Sequence, residues 1–327
     1  MARTVRTPAL VVLATLALLP AAASSGAAAP GGCGERLFPR SNYWNADVTS
    51  LPVHRNSDRI IATMGVEENL HPDFGSGLWD GGPIGIPFDV VAGDQPTRRV
   101  SFYYPDESDG RRYPLPEEPS IEGGPDADGD RHVLLWQQES CRLWELFDAH
   151  PNPNGTWRAG SGAIWDLDSN ALRPAGWTSA DAAGLPILAG LVRYDEVAAG
   201  EIGHAIRMTA PQTRGTYVWP ARHEASDLSG GRYPAMGQWL RLRADVDPND
   251  FPPQARVVVR ALQVHGAIIA DNGSALFISG SPDERWDNDD LAALKSLTGA
   301  DFEVVQSRRM MVDPDSAKLK RRYRVGA

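Results

Sequence analysis

The stretch from Trp165 to His223 gathers Asp166, Asp168, Asp181, Asp195, Glu196, His204, Arg207, Tyr217 and His223, with Trp165, Trp177 and Trp219 among them. Cleaving a sugar polymer requires such a set: one acid to protonate the leaving oxygen, a second to serve as base or nucleophile, and rings to stack on the sugar's C–H faces. The candidate catalytic residues are therefore Asp166, Asp181, Glu196, His204 and His223. The candidate substrate contacts are Trp165, Trp177, Arg207, Tyr217 and Trp219. A lyase would use the same stretch differently. There Arg207 would neutralise a uronate carboxylate while His204, His223 or Tyr217 removed the C5 proton. Each residue also has a plain structural reading. Asp166 and Asp168 suit a strand-to-turn link, Asp181 in Thr178-Ser179-Ala180-Asp181 suits a helix cap, and Glu196 suits a surface helix.

The chain has seven histidines, and His71, His132, His204 and His223 sit beside charged or turn residues. They form no HxH or HExxH pair, so a zinc site would draw its ligands from separate strands. His71 and His132 are the candidate metal ligands of a metal-dependent hydrolase. Asp126-Ala127-Asp128-Gly129-Asp130 has the alternating acids of a calcium loop, which makes a structural calcium ion the one cofactor suggested. It departs from the EF-hand pattern, with Arg131 where Gly is wanted and Gln137 where Glu is wanted. Ser161, in Ala159-Gly160-Ser161-Gly162-Ala163, lacks the G-x-S-x-G spacing of a nucleophile elbow.

Strands must position these groups. Residues 132–137, 142–147, and 155–158 through 164–167 alternate apolar and polar types between short turns, and predict an antiparallel meander. Further strands are expected near 100–104, 204–209, 217–219, 239–244 and 301–305. Helices are expected from 56 or 57 to 64, from 252 to 265 with Gly266 as the stop, and near 289–297. The long segments 70–93 and 105–130 read as loops, which at that length are functional or disordered. The fold class is mainly β: an antiparallel, jelly-roll-like sandwich with a few peripheral helices.

Residues 1–29 have a basic start, an apolar run and small residues, the layout of a signal peptide cleaved near Pro30. Residues 30–310 read as a single β-rich domain and 311–327 as a basic tail, with no membrane insertion after cleavage. For a secreted, extracellular chain, Cys33 and Cys141 are most simply one disulfide, worth roughly 4 to 5 kcal/mol through loop closure. With 42 acidic against 32 basic residues and a formal net charge of −10, the surface repels nucleic acid. The expected partner is a polysaccharide or cell-wall glycan, bound by a monomer.

The segments Gly123-Gly124, Gly129-Asp130-Arg131-His132-Val133, 177–187, Arg193-Tyr194-Asp195-Glu196-Val197 and Ile269-Ala270-Asp271-Asn272-Gly273-Ser274 resemble a group of exported bacterial proteins, mostly actinobacterial, of uncharacterised function. The resemblance covers nearly all of the chain after the leader. It implies export and a single folded unit, and carries over no activity and no catalytic residue. The residues themselves point first to a glycoside hydrolase. A non-catalytic carbohydrate-binding or envelope-associated protein, a polysaccharide lyase and a metal-dependent hydrolase are the alternatives.

Overall fold

In the computed structural model, which describes residues 36–326, Val133–Gln137, Arg142–Phe147 and Ser161–Asp166 form the antiparallel meander that their alternation predicts. Phe88–Val90 adds a parallel edge. Both faces of this sheet are covered. Val133, Leu135 and Leu146 enter a smaller core with Val100, Tyr113 and Trp157. Leu134, Leu143, Ala163 and Trp165 enter the main core instead. Burial on both faces accounts for the nearly unbroken apolar run in Val133–Gln137.

Gly160 divides two strands that were expected to continue one another. Trp157–Ala159 leaves the meander to pair in parallel with Arg98–Phe102, in an outer sheet completed by Arg112–Tyr113 and His150–Pro151. Ser161–Asp166 then joins the meander. A Cβ at position 160 would lie 2.6 Å from the Phe147 ring, so only glycine permits this close crossing.

The largest sheet has six strands in the order His71–Asp73, Phe277–Ser279, Ile206–Ala210, Ala267–Asn272, Trp239–Leu242 and Phe302–Val305. The fold is mainly β, but this sheet is mixed where an antiparallel one was expected. Ile206–Ala210 runs parallel to Ala267–Asn272, and His71–Asp73 runs parallel to Phe277–Ser279. Parallel neighbours need a long crossover, and residues 211–266 supply one that includes a strand and the helix Pro253–Val264. That helix packs on Trp239–Leu242 and buries Val258, Val259 and Leu262. Ser57–Met64 and Asn288–Ala292 also form where expected.

The basic segment expected to stand off as a tail packs onto the fold. Ala317, Leu319 and Tyr323 are buried in the main core, and bridges tie Asn42 to Lys318 and Ala46 to Arg324. Its apolar residues anchor it, while Lys318 and Lys320 remain exposed. The expected leader and Cys33 lie outside the described residues, and so does the Cys33–Cys141 pairing. Cys141 is buried, with Sγ 3.8 Å from the Gln138 carbonyl. Among the described residues no helix is long and apolar enough to cross a membrane.

Candidate functional site

Arg207 is the second residue of Ile206–Ala210, in a fold that buries it. A guanidinium taken out of water needs anions and acceptors around it, and this one is surrounded. Its Nε and Nη2 donate to the two Asp181 carboxylate oxygens at 3.0 and 2.9 Å, Nη2 also donates to Asp271 at 3.0 Å, and Nη1 donates to the Ser279 hydroxyl at 2.8 Å. Burial works against its charge, but Asp181 and Asp271 outweigh burial and hold the proton in place.

A break in strand register delivers Asp271 to this group. Met208 pairs with Ile269, yet Thr209 pairs with Asp271, leaving Ala270 as an extra residue. Without that bulge the alternation of a strand would turn Asp271 to the opposite face from Arg207. With it, Asp271 shares the face of Arg207 and Thr209. The displaced Ala270 carbonyl accepts from Ala183 N–H at 2.9 Å, which ties down the turn carrying Asp181. Ser179 reinforces the same turn, its hydroxyl accepting from Asp181 N–H at 2.9 Å and approaching the Leu185 carbonyl at 2.6 Å.

Asp271 and His223 line a cleft of about 330 Å³ together with Asp130, Tyr104, Glu107 and Asn272. His223 Nδ1 donates to the Ala182 carbonyl at 2.9 Å. That bond places a proton on Nδ1 and leaves Nε2 without a hydrogen-bond partner among the described residues. The Asp271 carboxyl is raised to about 6, first by burial and then by Asp181, against the opposing pull of Arg207. Tyr104 is exposed at the rim and meets Tyr103 edge to face, ring centroids 4.7 Å apart. The cleft thus joins a carboxyl inclined to hold a proton, two further carboxyls, an imidazole and an aromatic platform.

Behind it, His132 is buried between Glu122 Oε2 at 2.6 Å on Nδ1 and the Ala180 carbonyl at 3.0 Å on Nε2. Burial lowers its pKa, but Glu122 outweighs burial and carries it up to about 9. Both ring nitrogens face acceptors, so both carry protons and neither offers a lone pair to a metal. Glu122, Asp130 and His132 place ligand-type atoms within 4.8 Å of one another. As they stand, the histidine serves as a cation in that group. His71 stacks on Phe277 with centroids 4.1 Å apart. In the acidic loop, Arg131 Nη1 donates to the Pro125 and Ala127 carbonyls at 2.9 and 2.7 Å. A calcium ion there would have to displace that guanidinium.

Of the residues singled out in the sequence, Asp181, Arg207 and His223 come together here. Glu196 and His204 pair with each other at 3.1 Å and line a different cleft, where Arg193 also holds Glu196. Asp166 is exposed and accepts from Asp168 N–H in a turn. Trp165 is buried and donates to Glu145, and Trp219 is buried and donates to the Ser316 carbonyl. Trp177 is half-buried beside the Arg173 guanidinium, and Tyr217 is half-buried in a bridge to Met236. Asp130, Asp271, Tyr104 and Glu122 were not singled out as site residues. The signals present were the acidic loop beside His132 and the Ala270-Asp271-Asn272-Gly273 segment of the resemblance.

No family model, curated protein or solved structure matches the chain.

Buried groups with raised and lowered pKa values together set the pH dependence of stability. Glu145 accepts from Ile187 N–H, Leu188 N–H and Trp165 Nε1–H, yet burial pushes its carboxyl up to about 7. With Asp271 near 6 and His132 near 9, the folded state holds protons that the unfolded chain releases at lower pH. Each contribution is complete below the group's ordinary pKa and is lost as pH rises through the folded value. Glu122 is lowered by His132 despite its burial, so it acts oppositely only in acid, and His265, pushed down to about 4 chiefly by burial, opposes the loss up to about pH 6.5. Melting temperature should therefore fall from about pH 6.5, where His265 no longer compensates, to about pH 9, where His132 has released its proton. In Glu145→Gln the slope between roughly pH 4.5 and 7 should become more positive than in the wild type, whatever the absolute stability. A wild-type melting temperature that is level or rising from about pH 6.5 to about pH 9 contradicts the assignment.

Proposed function

We propose that the cleft is the acid–base site of a glycoside hydrolase acting on an extracellular polysaccharide. The observation that carries the reading is the meeting of Asp130, Asp271 and His223, whose Nε2 has no partner among the described residues, in one cleft beside the exposed Tyr103–Tyr104 pair. Asp271 gives its proton to the glycosidic oxygen as the bond to the anomeric carbon breaks. Asp130 takes a proton from the water that adds to that carbon. His223 Nε2 accepts from a sugar hydroxyl and fixes the ring's orientation, and Tyr104 stacks on its apolar face. The division of labour between the two carboxyls follows their surroundings. Asp271 is packed against buried charge, while Asp130 is open to water.

The test is to incubate the protein with a panel of plant and bacterial wall polysaccharides and to assay new reducing ends and unsaturated products separately. Reducing ends without an unsaturated chromophore are expected. Tyr104→Ala should raise KM by roughly tenfold while kcat changes little, since a stacking platform binds ground and transition states alike. An unsaturated product would replace hydrolysis by elimination. Binding without turnover across the whole panel would leave a carbohydrate-binding protein.

A further inference from the structure

A second cleft, of about 340 Å³, shares no lining residue with the first and differs from it in charge. His54, Arg55, Arg214, Gln238, Arg308 and Arg309 line it, and no aspartate or glutamate does. This is unusual within the molecule. Of the other buried or half-buried arginines, Arg173, Arg193, Arg207, Arg222 and Arg241 each pair with a carboxylate, and Arg36, Arg98, Arg131, Arg256 and Arg324 donate to backbone carbonyls. In the second cleft Arg55, Arg214 and Arg308 have no side-chain hydrogen bond and no ion pair among the described residues, and Arg214 Nε is buried without a partner. A chain of net charge −10 had many acids with which to neutralise this spot.

The remaining donors point to the same conclusion. Gln238 is 4 % exposed, and its side-chain amide has no hydrogen-bond partner among the described residues. His54 Nδ1 accepts from Asn56 N–H at 3.2 Å, which places the imidazole proton on Nε2 as one more donor. Burial, Arg214 and Arg55 all push the His54 pKa down, as expected beside uncompensated positive charge. The parts come from separate elements. Residues 54 and 55 precede the helix Ser57–Met64, Arg214 lies in the crossover, Gln238 precedes Trp239–Leu242, and Arg308 and Arg309 lie in the turn Ser307–Arg309.

We propose that this second cleft is a binding site for a phosphoryl-type oxyanion. Guanidinium forks and an amide arriving from several directions suit a tetrahedral, multiply charged anion, whose oxygens can each meet a different donor. A carboxylate has two coplanar oxygens and is satisfied by one fork. The anion is either free phosphate or a phosphate ester on a larger ligand such as a sugar.

Titration calorimetry in low-salt buffer tests this with inorganic phosphate, a sugar phosphate and a uronate as separate ligands. One equivalent of phosphate should bind, and Arg55→Gln/Arg308→Gln should weaken it by roughly tenfold or more. Both side chains are exposed, so the variant should fold. Arg214→Gln should weaken binding as well. Arg158→Gln, a loss of one positive charge at an exposed position on the outer sheet, should leave binding nearly unchanged. A sugar phosphate tighter than inorganic phosphate identifies an esterified ligand, and equal affinities identify the free ion. The proposal is overturned if phosphate fails to bind at millimolar concentration, if Arg158→Gln weakens it as much as the double variant, or if the uronate binds more tightly. Because the readout is binding at a separate cleft, this result is independent of whether the protein hydrolyses a glycan.

Discussion

Replacing Asp271 by asparagine is expected to leave a folded protein whose kcat on its best polysaccharide falls by roughly 10²–10⁴-fold, the usual weight of a general acid. The amide oxygen can still accept from Arg207 Nη2 in place of the carboxylate oxygen now 3.0 Å away. What disappears is the transferable proton, together with the bond that Oδ1 accepts from Asn272 N–H at 2.7 Å. The pH profile should change in a related way. An acid with a pKa near 6 is spent as the pH rises above that value, so the wild type should lose activity on that alkaline limb and Asp271→Asn should not show it. A substrate whose leaving group departs without protonation, such as an aryl glycoside with a stabilised phenolate, should suffer much less from the substitution. Wild-type kcat in the asparagine variant, with the limb intact, would remove Asp271 from the chemistry.

Strand alternation and turn residues made the meander legible in the sequence, and the Pro252-Pro253 start with the Gly266 stop did the same for the long helix. The large sheet was less legible for a physical reason. Ala267-Ile268-Ile269-Ala270 is apolar at every position because the strand is buried on both faces, so the run carries no alternation from which direction or neighbours could be read. The bulge at Ala270 is an event of pairing, invisible in either strand alone, and it decides where Asp271 points. Composition identified histidine and acid chemistry but could not distribute it: His204 and His223 went to different clefts. Tryptophan abundance suggested a sugar platform. Trp165 and Trp219 instead serve the core, their indole N–H groups satisfied by Glu145 and the Ser316 carbonyl. The exposed rings at the cleft are tyrosines at the end of a strand. The segment 105–130, legible only as a long loop, brings Glu107, Glu122 and Asp130 to the site or directly behind it.

Arg207→Met should destabilise the protein by about 3 to 5 kcal/mol, the cost of leaving a buried ion pair half-made. Asp181 is fully buried and holds the guanidinium with both oxygens, so its carboxylate would be left with no cation and no water. Against a typical total of about 5–15 kcal/mol, that loss would be visible in any melting experiment. It should also depend on pH. Below the range in which the abandoned carboxyls ionise they can take up protons, and the gap to the wild type should narrow. The double variant Arg207→Met/Asp181→Asn removes both partners and should recover part of the loss, giving a non-additive cycle. Strict additivity, or a single variant as stable as the wild type, would mean that the guanidinium does not neutralise Asp181. The recovered double variant also bears on the chemistry, because Arg207 lowers the Asp271 pKa more than Asp181 raises it. With both gone, Asp271 should hold its proton to higher pH, and the alkaline limb of activity should move upward with it.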